Sequence, residues 1–132
     1  METTAAFFAL SVHAMRPTQV LVFGFPEQGA ALRYWPSSDG GTASSALVGP
    51  GDHVLPGPSF EIVEDPRGAR VEYRRGFLVP IGALRVEVVV ATRGDGVQLD
   101  AADLAPGLDA AATATRLRSA GFAVRSLSVR ER

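Results

Sequence analysis

Two histidines, one of them beside a carboxylate, are where this chain could carry chemistry. His53 follows Asp52 in the run Gly49-Pro50-Gly51-Asp52-His53. An imidazole beside a carboxylate can titrate near neutrality and serve as a general base. Chain neighbours seldom orient each other as triad partners do, because such partners meet through the fold. The competing expectation for His53 is therefore a solvated loop residue or a contact to a neighbouring subunit. His13 is the second histidine, and with His53 and one carboxylate it would supply the three protein ligands that a catalytic zinc needs. The sequence offers no ligand spacing to support such a site, and no metal is expected.

Other constellations are weaker. Asp95, Asp100 and Asp103 lack the alternation and the closing glutamate of a calcium loop. Gly24 and Gly29 follow a strand-like run, but their spacing is not that of a dinucleotide loop, and Ala30 to Trp35 continues as a strand pattern where such a loop would open a helix. No cofactor is implied. Tyr34 and Trp35 stand at the entrance to a long Gly/Ser/Pro-rich segment, residues 36–58. There they could line a small-molecule pocket or anchor a partner protein, or else simply close the end of a sheet. Arg70, Arg74, Arg75 and Arg85 interleave with Tyr73 and Phe77 as a nucleic-acid surface would. Glu61, Glu72 and Glu87 fall on the same faces and would repel phosphate, so nucleic acid is not an expected partner. Arg93-Gly94-Asp95 reads as a turn and not as an adhesion motif.

Several chemistries are excluded outright. The chain contains no Lys, Cys or Asn, and all 13 basic residues are Arg. Schiff-base and lysine-base catalysis, thiol nucleophiles, disulfides, thiolate metal sites and N-glycosylation are thereby removed. The same bias suggests a GC-rich bacterium or one of its phages as the source. The net charge of −1 provides no global field for polyanions. No basic leader or apolar run of membrane-spanning length is present, so the expectation is a cytoplasmic protein, or one within a phage or other assembly, with no membrane partner.

The elements that must position these residues are mostly strands. At 132 residues with 46% hydrophobic content, the chain fits one domain with a core of its own. Residues 7–14 and 84–91 alternate with a period of two, and 19–25 is apolar on both parities, as in a strand covered on both faces. Pro26-Glu27-Gln28-Gly29 predicts a hairpin joining 19–25 to 30–35. Asp65-Pro66-Arg67-Gly68 predicts a second hairpin that sets 64 beside 69, Ile62 opposite Val71, Phe60 opposite Tyr73 and, unfavourably unless Arg70 and Arg74 screen it from the diagonal, Glu61 opposite Glu72, so that a one-residue bulge near Gly68 or Gly76 would relieve it. Asp100 caps a short helical piece over 101–105. Asp109 then starts a helix that Gly121 stops, with Ala110, Ala114 and Leu117 on one face and Asp109, Thr113 and Arg116 on another. Residues 122–129 form a final strand whose serines and arginines suit an edge.

The expected fold is a single α+β domain: an antiparallel sheet of about six or seven strands with one C-terminal helix on one face. The expected function is a non-enzymatic structural or protein-interaction subunit that self-associates. The alternative is a small-molecule-binding domain or small enzyme, with a pocket under the 36–58 segment using His53 and Asp52.

Overall fold

The computed structural model describes residues 2–4, 7–36, 47–55, 60–64, 70–74, 77–80, 82–94 and 105–130. In chain order the strands are β1 (Glu2–Thr4), β2 (Phe7–Phe8), β3 (Leu10–Ala14), β4 (Thr18–Pro26), β5 (Leu32–Trp35), β6 (Leu47–Val48), β7 (Gly51–Leu55), β8 (Phe60–Glu64), β9 (Arg70–Arg74), β10 (Phe77–Leu78) and β11 (Arg85–Arg93), followed by helix α1 (Ala110–Ser119) and strand β12 (Ala123–Arg130). The fold is α+β, built mainly of antiparallel sheet with, among the described residues, one helix. A six-stranded sheet runs in the order β1-β12-β11-β4-β5, with β6 also paired to β4, and three two-stranded ribbons (β2·β10, β3·β7 and β8·β9) complete the pairing among the described residues.

Strand parity divides the core into two layers, because successive side chains of a strand leave the sheet on opposite faces. Val20 and Val22 of β4, Val86 and Val88 of β11 and Val129 of β12 join Phe8, Leu55, Phe77 and Val79 on one face. Leu21, Phe23, Val89 and Ala91 meet α1 on the other through Ala110, Ala114 and Leu117, with Phe122 beside them. The helix is rich in alanine and lies on the sheet, which supplies the bulk. Leu21 and Phe23 are fully buried there, each worth about 1.5–3 kcal/mol of transfer free energy.

Local signals set the helix boundaries. The Asp109 side chain accepts a hydrogen bond from the Ala112 amide at 2.7 Å, the N-cap expected from its residue type. Gly121 takes φ +97°, and the amides of Gly121 and Phe122 return to the carbonyls of Arg118 and Leu117, both at 3.0 Å. Arg93 crosses from the end of β11, donates to the Ala120 carbonyl and lies over the Phe122 ring at 5.8 Å. That arginine thus helps close the C-terminus of the helix.

Several expectations need correction. The 36–58 segment is not one excursion: Leu47–Val48 pairs with β4 and Gly51–Leu55 pairs with β3. The final strand is next to the edge, since β1 adds in parallel along Ser128–Arg130; only the Ala123–Leu127 margin stays outermost among the described residues. Thr113, on the helix face it shares with Asp109 and Arg116, is fully buried, because residues 105–107 fold back and the Gly107 amide donates to its hydroxyl at 2.9 Å. In the β8·β9 hairpin, Glu61 opposes Tyr73 and Ile62 opposes Glu72, with Glu64 paired to Arg70. Pairing Glu64 with residue 70, one beyond the expected 69, slides the ladder by one residue and separates the two like charges. The stretch 101–105, expected to be helical after Asp100, has only Ala105 among the described residues, and Asp95, Asp100 and Asp103 lie outside them.

Candidate functional site

The β3·β7 ribbon carries both histidines, and its register decides what they can do. His13 stands directly opposite Asp52, and Val12 stands opposite His53. Adjacent residues of a strand face opposite ways, so Asp52 turns away from His53 and toward His13. His13 Nδ1 and Asp52 Oδ1 lie 2.5 Å apart, with the two side chains 68% and 89% exposed. The anticipated Asp52–His53 couple is therefore not formed. The two histidines leave the ribbon on different faces and do not combine as metal ligands. Among the described residues, no cluster of three His, Asp or Glu side chains is present.

His53 is half-buried, and its Nε2 lies 2.6 Å from the Gly49 carbonyl. It ties the turn between β6 and β7. This geometry gives it an anchoring role at Gly49-Pro50 and leaves only its other ring nitrogen for any further partner.

Tyr34 and Trp35 are brought together by a bulge. Val22 pairs with Trp35 while Phe23 pairs with Arg33, so Tyr34 is the extra residue. In a regular strand these neighbours would face opposite sides of the sheet. The bulge re-aims them, and both pack against the same core layer. Tyr34 meets Phe8 edge-on at 5.3 Å and Phe77 at 5.2 Å, and Phe8 and Phe77 are 5.4 Å apart. Burial pushes the Tyr34 phenol up to about 12 from its ordinary 10.0, since desolvation disfavours the phenolate. Gly24 makes room for the ring, because any side chain there would overlap it. Trp35 precedes Pro36 through a cis peptide bond, and its indole Nε1 is buried without an acceptor among the described residues.

Tyr34 and Trp35 lie on the edge strand β5 and pack against one core layer. The same cluster accounts for Phe77, which is buried and so is not a base-stacking residue on an open surface.

A cleft that residue-by-residue reading missed lies at the far end of the main sheet. It has a volume of about 360 Å³ and is lined by Glu27, Leu84, Arg85 and Arg130. Arg85 and Arg130 are direct cross-strand partners. Nothing local could have paired them: the charge-rich ends of β11 and β12 were visible, but the register that unites them passes through the intervening helix.

No family model, curated protein or solved structure matches the chain. Among the described residues no helix is long and apolar enough to cross a membrane.

Proposed function

We propose that this chain is a non-enzymatic interaction subunit that associates with a second copy of itself through the outer margin of β12. The observation that carries the reading is the partial cover of that strand: β1 pairs with Ser128–Arg130 alone, while β12 begins at Ala123. Ala123 to Leu127 therefore present outward-facing backbone donors and acceptors beyond the reach of any described strand. An open ladder of this kind is a template for strand addition.

Side-chain chemistry supports the same reading. An antiparallel, two-fold contact centred on Ser126 and confined to residues 125–127, since β1 covers Ser128 onward, sets Arg125 of one copy against Leu127 of the other and so avoids opposing like charges. Ser126 and Arg125 are exposed and Leu127 is half-buried. The residues with the best claim to a pocket are meanwhile committed to structure, Tyr34 and Trp35 to the core and His53 to the Gly49 carbonyl.

Sedimentation or light-scattering mass across a concentration series tests the proposal. A dimer is expected, and Ser126→Asp, which places two carboxylates face to face at the axis, should shift it to monomer with the circular dichroism spectrum unchanged. A monomer at every concentration, or a dimer indifferent to Ser126→Asp, would overturn it.

A further inference from the structure

Strand β1 and a lengthened contact between two copies need the same backbone. β1 pairs in parallel with the end of β12, Glu2 beside Ser128, Thr3 beside Val129 and Thr4 beside Arg130. It stands last in the sheet, and β12 is its sole strand partner among the described residues. A two-fold antiparallel contact centred on Ser126 extends outward from 125–127 by setting Val124 of one copy against Ser128 of the other, and Ala123 against Val129. None of these residues is charged, so nothing in the longer ladder opposes like charges. Both added pairs use the edge of Ser128 and Val129 that β1 occupies. The two arrangements exclude each other.

We propose, resting on self-association through β12, that β1 is an autoinhibitory strap: a second copy displaces it, and the contact lengthens from residues 125–127 to 123–129. The strap is weak by construction. It is three residues long and parallel, and parallel pairing is slightly less stable per residue than antiparallel. Its advantage is its tether, which presents it to β12 at an effective concentration on the order of millimolar. While the protein is dilute, the tethered strand holds the edge. A second copy brings a longer, antiparallel ladder and takes the edge as its concentration rises. When the competent form is only a fraction of the population, the apparent affinity falls by that fraction. β1 therefore sets the concentration at which the full contact forms.

Two variants of the whole chain test this by sedimentation equilibrium beside the wild type. Successive amides of a strand point to opposite edges, so Thr3→Pro with Thr4→Pro removes whichever one donates to β12. The dimer dissociation constant should fall about tenfold, because two straps must leave and each then holds its edge in roughly two chains of three. Adding Ser126→Asp should return this variant to monomer. The second variant keeps β1 in place. Glu2→Cys with Ser128→Cys puts the chain's first two cysteines in register, on strands about 4.8 Å apart and so within reach of a disulfide. Oxidised, it should dimerise roughly tenfold more weakly than when reduced. A proline variant no tighter than the wild type, or a locked form as tight as its reduced form, would remove the strap and leave self-association through β12 standing. Monomers throughout, in wild type and variants alike, would remove both.

Discussion

The ring of Tyr34 lies against the α-carbon of Gly24 so closely that no side chain fits between them. Gly24 pairs with Leu32 on β5 and Val88 on β11, yet what occupies its core-facing side is the bulged residue two places further on. The ring cannot swing aside freely, because Phe8 and Phe77 flank it. Gly24→Ala should therefore destabilise the fold by about 1–3 kcal/mol, the usual range for overpacking. Urea unfolding checks this, and a double-mutant cycle with Tyr34→Leu should recover part of the loss because the two sites share one space.

Burial of the same ring has a consequence at high pH. The Tyr34 phenol titrates at about 12 in the folded chain against 10.0 ordinarily. A folded value above the unfolded one means that the contribution to stability is complete below pH 10 and is lost as pH rises toward 12. Stability measured against urea should fall across that window, and Tyr34→Phe should remove this component of the fall. In a spectrophotometric titration of the phenolates, Tyr34→Phe should likewise delete a step near pH 12.

The contact between His13 and Asp52 is a different case, since both side chains are largely exposed. Solvent-screened pairs contribute less than about 1 kcal/mol. Asp52→Ala should leave stability within that margin in urea unfolding. His53→Ala should cost more than Asp52→Ala, because it removes a half-buried side chain together with its link to the Gly49 carbonyl.

Thr113 gives a test of the helix side of the core. Its hydroxyl is the partner of the Gly107 amide, and the residue is fully buried. Thr113→Val keeps the shape and leaves that donor without its acceptor, at a cost of about 1–3 kcal/mol. Asp109→Ala should cost about 1 kcal/mol through loss of the cap. Thermal unfolding of the two single variants and the double should show whether the 105–107 turn and the helix start are coupled.

Period-two alternation and terminus chemistry are properties of neighbouring residues, and they could be read from the chain directly. The apolar run 19–25, the Asp109 cap and the Gly121 stop stand where their local chemistry put them, and the strand expected at 84–91 forms as Arg85–Arg93, with Leu84 left outside it at positive φ. Long-range pairing has no such local source. One bulge turned Tyr34 and Trp35 to the same face, the β3·β7 register gave Asp52 to His13 and not to His53, and a hydroxyl on the helix was buried by three residues folding back over it. The apposition of Arg85 with Arg130 likewise depends on which strands adjoin and in what register. Each of these is decided by shape and burial summed over distant segments, so it exists only once the sheet has closed.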